Sequence, residues 1–261
     1  MIKLLTKSLL LILLNLSSAQ AQPQCAVEKF TQFQMQYCLY PGKGPLLVLQ
    51  NPLGSDMSIW PKSFIQNLNQ FSEVLVYNRL GYGASHYLAH KIDQSTTANV
   101  VSAQLNDLLK QLSINKPIVM VGHSIGGLYA QDFVRNYPKN IEALVLIDSS
   151  SPLEPQINSP FVSKIIPQKG TTTYFESIGY NQSMDQVNDS PKMPQIPLLV
   201  ITATEHGGPQ TIENQWQELQ RKLTETSPKG IQVIAQGSGH FVYQDNPNLV
   251  VKSIHDLIQE K

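Results

Sequence analysis

The chain has 261 residues, of which 41% are hydrophobic, and its 19 basic residues balance its 19 acidic residues. A balanced charge gives no indication of a nucleic acid or an anionic membrane surface as a partner. The length suits a single domain of about 240 residues once an N-terminal leader is removed.

The first residues have the composition of a secretory signal peptide. Lys3 and Lys7 form a basic segment, residues 9–16 are nearly all Leu and Ile, and Ala19-Gln20-Ala21 provides a small-residue cleavage site. The apolar run is too short to remain as a stable membrane anchor. The sequence therefore predicts a signal peptide at 1–21, a mature domain at 22–261 without a membrane segment, and a secreted or periplasmic location.

Two cysteines, Cys25 and Cys38, follow the leader. They fall on two neighbouring predicted strands, and in an oxidising compartment such a pair most simply forms a disulfide. Free buried thiols are the alternative. Two cysteines with no histidine nearby do not match a zinc pattern, so no metal site is predicted.

Strands alternate with helices along the first half of the chain. The predicted strands cover residues 27–33, 35–39, 45–49 and 73–77, and the predicted helices cover residues 60–69 and 96–112. The second of these helices carries apolar residues at helical spacing. This alternation favours a mostly parallel sheet with helices on both faces.

A strand, a tight turn and a helix lie around Gly122-His123-Ser124-Ile125-Gly126. Residues 117–121 open with a proline and are otherwise apolar, which indicates a buried strand, and a helical pattern follows Gly126 as far as Tyr137-Pro138. This is the context of a nucleophile elbow, in which a serine lies on a strained turn at the carboxyl edge of a sheet. Glycines are needed two residues before and after the serine, because a Cβ there would crowd the neighbouring strand and helix. Ser124 is therefore the candidate nucleophile.

On these residues the chain resembles the α/β-hydrolase superfamily, and the resemblance covers nearly the whole mature chain. It implies an oxyanion hole built from two backbone N–H groups, that of Ile125 after the serine and that of Leu53 in the loop after the third predicted strand. Pro52 stands where the family often has glycine. The family's D-x-x-G-x-G-x-S pattern is present at 78–85 with asparagine in place of the aspartate. The resemblance implies neither a metal nor an organic cofactor.

A general base for Ser124 is predicted at His240. The last predicted strand, 231–235, is followed by Gly237-Ser238-Gly239-His240, and the superfamily places its histidine on this loop. A serine hydroxyl needs such a base to become nucleophilic, and the base needs a carboxylate to orient it.

Two carboxylates compete for the role of that acid. Asp148 follows the predicted strand 141–147, and some superfamily members carry their acid there. Glu205 follows the predicted strand 198–204, which is the commoner place, but the family's usual spacing would put the acid one residue later, at His206. A shift of one residue at the end of a strand turns a side chain to the other side. We favour Asp148 and keep Glu205 as the alternative.

Residues 152–197 lack a strong period and are rich in Pro, Gln, Asn, Ser and Gly. So long a stretch is uncommon as a simple connection, and the resemblance implies a short cap over the active site with two or three helical pieces. Its apolar residues are expected either to line an acyl or alcohol pocket or to pack the cap onto the core: Phe161, Ile165, Ile166, Tyr174, Phe175 and Ile178.

These features together predict a secreted serine hydrolase that acts on a small carboxylic ester, with a small-molecule acyl substrate as its partner and without a cofactor. Peptidase, lactonase, amidase, acyltransferase and cofactor-free perhydrolase reactions use the same residues, and the fold does not choose among them. A catalytically silent binding protein on the same fold is the alternative from another class. The sequence carries no signal for the oligomeric state.

Overall fold

The computed structural model describes residues 22–154 and 167–259. The predicted leader, residues 1–21, and part of the predicted cap lie outside the described residues. The described residues form one mostly parallel sheet with helices on both faces, which confirms the predicted fold class.

Nine strands form the sheet within these ranges. They are β1 (Gln24–Lys29), β2 (Phe33–Tyr40), β3 (Leu46–Gln50), β4 (Glu73–Tyr77), β5 (His86–Tyr87), β6 (Ile118–His123), β7 (Ile141–Ile147), β8 (Leu198–Ala203) and β9 (Gly230–Ala235). Their spatial order is β1-β2-β4-β3-β6-β7-β8-β9, with the short β5 paired to β2. The pairs that involve β2 are antiparallel, and the pairs from β4 through β9 are parallel.

Eight α-helices connect or cover these strands in the described residues. They are α1 (Lys62–Leu68), α2 (Ala98–Gln111), α3 (Ile125–Asn136), α4 (Thr172–Ile178), α5 (Tyr180–Asp189), α6 (Gln210–Thr224), α7 (Val242–Asp245) and α8 (Pro247–Gln259). The helices α4 and α5 belong to the predicted cap. No helix in the described part of the chain is long and apolar enough to cross a bilayer.

The central strands are buried on both faces. In β3, Leu46 and Val48 pack with α2 and α3, whereas Leu47 and Leu49 pack with α1 and α8 on the opposite face. This two-sided burial explains why the central strands read as continuous apolar runs. Because these strands are parallel, the loops that follow them emerge at one edge of the sheet, where a ligand site is expected.

A disulfide joins the two strands at one end of the sheet. Cys25 of β1 and Cys38 of β2 face each other in the antiparallel pair, with their Cα atoms 4.0 Å apart. The sequence predicted this pairing. The crosslink ties the outermost strand to β2, which continues into the central sheet through β4.

Candidate active site

Ser124 lies on the turn between β6 and α3. Its backbone has φ 57° and ψ −128°, a conformation that costs a residue with a side chain on the order of 1–3 kcal/mol. A Cβ on Gly122 would lie 2.5 Å from the Gly126 carbonyl oxygen, and a Cβ on Gly126 would lie 2.4 Å from the Gln50 carbonyl oxygen. Both positions therefore need glycine, and the turn has the geometry expected of a nucleophile elbow.

The loop that follows β3 is held by a buried arginine. Arg79 is 1% exposed, and its guanidinium donates to the carbonyl oxygens of Asn51 at 2.7 Å and Pro52 at 2.9 Å. The C=O and N–H groups of a trans peptide point in opposite directions. Fixing the Pro52 carbonyl on Arg79 therefore turns the N–H of Leu53 away from the guanidinium, and Leu53 borders the same cavity as Ser124 and Ile125.

Arg79 also connects this loop to the cap. Its Nε donates to Oε1 of Glu176 in α4 at 2.6 Å, and the second oxygen of that carboxylate accepts from the Gly54 N–H at 3.1 Å and the Tyr82 hydroxyl at 2.7 Å. Burial alone would lower the pKa of Arg79, but Glu176 beside it raises that pKa, so the guanidinium stays ionised. No local sequence pattern marks this pair, since its partners are 97 positions apart.

His240 is bonded to Asp148. Its Nδ1 lies 2.6 Å from Oδ2 of the carboxylate, which follows β7 and is fully buried. Burial alone would raise the pKa of Asp148, but hydrogen bonds from His206 and His240 hold it well below its usual range. An ionised carboxylate only accepts hydrogen bonds, so Nδ1 of His240 carries a proton and Nε2 of the neutral ring is free to act as a base.

The other oxygen of Asp148 is held by the protein framework. Oδ1 accepts from the Ala203 N–H at 3.0 Å and from Nε1 of Trp216 at 2.8 Å. Asp148 itself has a positive φ of 40°, so its carboxylate is fixed at a strained backbone position. Glu205 lines the same cavity, but within the described residues the carboxylate hydrogen-bonded to His240 is that of Asp148.

His206 contacts Asp148 from a second direction. Its Nε2 lies 2.7 Å from Oδ2 of Asp148, and its Nδ1 lies 2.7 Å from Oε2 of Glu213 in α6. Burial alone would lower the pKa of His206, but its bonds to the two carboxylates raise it to about 9. Sequence reasoning placed neither Glu213 nor Trp216 in the site. Their i, i+3 spacing was the available signal, because in a helix it directs both side chains to one face.

His123 connects the loop that carries His240 to the strand that precedes Ser124. It is fully buried, and its Nε2 lies 2.8 Å from the backbone carbonyl oxygen of His240. Burial, assisted by the nearby His240 ring, lowers the pKa of His123 to about 3. The neutral ring can donate its Nε2 proton to that carbonyl, which links the end of β6 to the loop after β9.

A cavity of about 610 Å³ contains both Ser124 and His240 in its wall. Its apolar lining includes Leu53, Ile125, Tyr174, Ile178, Trp216 and Phe241. A more open groove of about 670 Å³ beside Ser55 contains neither of the two candidate catalytic residues. The first cavity is therefore the candidate substrate site.

The predicted cap residues divide between two places. Tyr174 and Ile178 line the cavity at Ser124, whereas Phe175 borders a separate groove with Gly81 and His86. Phe161, Ile165 and Ile166 lie outside the described residues. Of the six apolar cap residues, two therefore reach the candidate site within the described part of the chain.

Two carboxyl groups, Glu154 and Glu205, also line this cavity, and its described lining contains no lysine or arginine. Burial raises the pKa of Glu154 to about 7, and its oxygens accept from the Tyr180 hydroxyl at 2.5 Å and the Ser151 N–H at 2.7 Å. The wall of the cavity is therefore apolar with some acidic character.

One group of residues could be compared with a metal centre: Asp148, His206 and His240, whose ligand atoms lie within 4.8 Å of one another. The Asp148 oxygen lies 2.7 and 2.6 Å from the two ring nitrogens, which are hydrogen-bond lengths. Ligands of a tetrahedral zinc with bonds of about 2.0 Å are about 3.3 Å apart. The group is therefore arranged for hydrogen bonds between its members.

Comparison with known proteins places these features in a wider group. A model of the alpha/beta hydrolase fold family matches residues 45–185. The uncharacterized protein YqjL of Bacillus subtilis is 23% identical over 220 residues, which span 82% of this chain and 83% of that protein. The sn-1-specific diacylglycerol lipase ABHD11 of Danio rerio is 31% identical over 124 residues, and this match spans 46% of the chain and only 37% of the lipase.

Among solved structures, a thermophilic esterase from Thermogutta terrifontis is similar to the chain. The TM-score is 0.61, and the match covers 92% of this chain and 99% of the esterase with 20% sequence identity. At this level of identity the likeness shows a shared fold.

Proposed function

The chain belongs to the α/β-hydrolase fold family, and from this membership we propose that it is a serine hydrolase that cleaves small carboxylic esters. The observation that carries the proposal is the 2.6 Å hydrogen bond between Asp148 and Nδ1 of His240. This bond fixes the ring tautomer that a general base requires, on a histidine that borders the same cavity as Ser124.

The proposed reaction begins when Nε2 of His240 takes the proton of Ser124 as its Oγ bonds to the ester carbonyl carbon. The N–H groups of Leu53 and Ile125 receive the negative charge that develops on the carbonyl oxygen. The imidazolium then gives its proton to the departing alcohol, which leaves an acyl group on Ser124. Asp148 stabilises the imidazolium through Nδ1 without being protonated itself.

Water completes the cycle. His240 takes one proton from water as the water oxygen bonds to the acyl carbon, which forms a second tetrahedral species. That species releases the carboxylic acid, and His240 returns its proton to Ser124. The net change is ester plus water to acid plus alcohol. Every proton moves through Nε2 of His240, so no other group is needed to transfer it.

The cavity favours neutral substrates of modest size. Its volume of about 610 Å³ falls within the range of small-molecule sites, and its walls combine apolar side chains with Glu154 and Glu205. An ester that carries its own carboxylate would meet these acidic groups without a lysine or arginine in the described lining. The proposed substrate is therefore a neutral ester with an apolar acyl or alcohol part.

The proposed location is outside the cytoplasm, in the periplasm or the medium. The basic, apolar and small-residue segments at 1–21 support cleavage of a leader after Ala21. A Cys25–Cys38 disulfide is compatible with an oxidising compartment. N-terminal sequencing of the exported protein tests this part, and an intact leader in the final product would refute it.

A fluorophosphonate probe tests the nucleophile, with p-nitrophenyl butyrate hydrolysis as a parallel measurement. The wild type should gain the mass of the probe at Ser124 and should hydrolyse the ester, and Ser124→Ala should lose both properties. Ser63→Ala, on the exposed face of α1, is the matched control and should behave as the wild type. Full esterase activity in Ser124→Ala would refute the proposal.

A second comparison tests the acid. Asp148→Asn should lower kcat by on the order of 10³- to 10⁴-fold because the ring loses its fixed tautomer and its counter-charge. Glu205→Gln should keep most of the activity. The reverse result, a small effect of Asp148→Asn and a large loss in Glu205→Gln, would assign the role to Glu205.

A substrate panel tests the reaction class. Acetate, butyrate and octanoate esters should be hydrolysed faster than aminoacyl anilides, lactones and a succinate half-ester of similar size. A strong preference for the anilides or the lactones would replace esterase by peptidase or lactonase activity on the same residues.

A further inference from the structure

Asp148 is shared by two histidines that use the same oxygen. Nε2 of His206 and Nδ1 of His240 lie 2.7 and 2.6 Å from Oδ2, and the centres of the two rings are 6.1 Å apart. A triad needs only one of these rings to act as a base. The role of the second ring is therefore not explained by the proposed reaction.

Glu213 determines which protons His206 carries. Its Oε2 lies 2.7 Å from Nδ1 of His206, and its Oε1 accepts from the backbone N–H of the same residue at 2.8 Å. Burial alone would lower the pKa of His206, but the bonds to Asp148 and Glu213 raise it to about 9, so its ring carries both protons at neutral pH. Since both neighbours only accept, both ring nitrogens of His206 must donate, and an imidazole that donates from both nitrogens is a cation.

We infer that His206 is a positioning residue of the proposed triad, held as an imidazolium between Glu213 and Asp148. Its Nε2–H fixes the carboxylate of Asp148 against His240, and its positive charge offsets one of the two carboxylate charges beside the His240 ring. This inference rests on the proposed acyl-transfer function and adds to it the group that supports the acid.

The net charge around His240 depends on His206. With His240 neutral, the three other groups carry one positive and two negative charges, so their sum is −1. Without the positive charge of His206 the sum is −2, so the acidic limb of the kcat/KM profile should move to higher pH. At a ring separation of 6.1 Å, Coulomb's law with an effective dielectric constant of about 20 moves this acidic limb by on the order of one to two pH units.

Other ionisable groups surround the two rings and enter the pH dependence. They are Asp148 after β7, His123 at the end of β6, Glu154 at the start of the predicted cap, Glu205 after β8, Glu213 in α6 and Asp245 in α7. Each of these groups is present in the wild type and in a His206 variant. A comparison of the two proteins therefore isolates the contribution of His206.

Two substitutions separate charge from position. His206→Gln removes the charge but keeps an amide N–H that can reach Asp148, so kcat at its plateau should stay within about 10-fold of the wild type. The acidic limb of its kcat/KM profile should move up by one to two pH units. His206→Leu also removes the donor, and its plateau kcat should fall further. His255→Gln, on a side chain that is 45% exposed in α8, is the matched control and should change neither property.

Histidine ring ¹⁵N NMR tests the charge without relying on activity. At pH 7 both ring nitrogens of His206 should be protonated in the wild type, and Glu213→Gln should lower the pH at which that ring loses a proton. Glu218→Gln, the same change at an exposed position of α6, should leave the His206 titration where it is.

The outcomes keep the two proposals apart. Absence of ester hydrolysis and probe labelling in the wild type would overturn the proposed function, whatever the NMR shows. Active wild type with a neutral His206 at pH 7, or with an unmoved acidic limb in His206→Gln, would overturn this inference and leave the proposed function standing. Loss of activity in both His206 variants with no shift of the acidic limb of kcat/KM would also overturn this inference, because His206 would then have only a structural role.

Discussion

Replacing Arg79 by methionine should separate the stability of the fold from the speed of the reaction. The substitution keeps most of the side-chain volume but leaves the carboxylate of Glu176, which is fully buried, without its cation. Removing one partner of a buried ion pair costs about 3–5 kcal/mol of unfolding free energy. For a domain of this size, that loss corresponds to a fall in Tm of roughly 6–20 °C.

The same variant should be slow even at a temperature where it is folded. Arg79 holds the Pro52 carbonyl at 2.9 Å, and without it the Leu53 N–H is no longer aimed at the proposed oxyanion. Deleting an oxyanion donor costs about 10²- to 10³-fold in kcat. A donor that is displaced but still present should cost less, so we expect a loss of roughly 10- to 100-fold.

The double variant Arg79→Met with Glu176→Met gives the decisive comparison. Removing both charges relieves the unpaired carboxylate, so the double variant should be more stable than Arg79→Met alone. Its kcat should stay low because Pro52 still lacks its donor. Urea unfolding and p-nitrophenyl butyrate hydrolysis at 20 °C measure the two properties.

Either of two results would refute this reasoning. One is a folded Arg79→Met protein with wild-type kcat, which would mean that the guanidinium does not orient the loop. The other is a double variant as unstable as the two single losses added together, which would mean that the unpaired charge is not the cause. Arg221→Met, from an exposed pair with Glu218 on α6, is the control and should unfold as the wild type does.

Three further predictions follow from single features. Gly126→Ala should lower kcat by about 10-fold or more. Its Cβ would lie 2.4 Å from the Gln50 carbonyl oxygen and displace the loop that carries Leu53. Wild-type kcat in the folded variant would contradict this prediction. Changing Cys25 and Cys38 to serine should cost roughly 3 kcal/mol in urea unfolding, given their separation of 13 residues, and an unmoved midpoint would show that the crosslink contributes little. Since the fold raises the pKa of His206 from 6.5 to about 9, its contribution to stability is full below pH 6.5 and is lost as the pH rises through 9. The difference in unfolding free energy between wild type and His206→Gln, roughly 2 to 3 kcal/mol at low pH, should therefore shrink across that window, and a constant difference would argue against a charged ring.

Local patterns were sufficient to predict most of the sheet. The bounds predicted for the strands 73–77 and 141–147 agree with β4 and β7, because a buried parallel strand is an apolar run with sharp polar ends. Two short elements, β5 and α7, were not predicted. With two and four residues they are too short for a period to be visible.

The candidate site also contains some residues that the sequence marks and others that it does not. Ser124 and His240 stand on turns that a sequence motif marks, and Asp148 stands at the end of a predicted strand. No sequence motif marks the residues that hold these three in place, because His206 contacts Asp148 across 58 positions and Arg79 contacts Glu176 across 97. The family's usual spacing would place the acid at position 206, but the residue there is a histidine that is hydrogen-bonded to Asp148, the proposed acid. Pairings of this kind depend on how loops fold back, which composition and periodicity do not encode.

The position of Asp148 in the chain has a consequence for how the protein could be rebuilt. The proposed oxyanion loop, nucleophile and acid lie between residues 51 and 148, ahead of the predicted cap that begins near residue 152. A chimera that exchanges the cap for that of a relative would therefore keep these three groups in one uninterrupted segment. Its main requirement is a carboxylate at the place of Glu176, because that side chain is the cap's contact with Arg79 and Gly54.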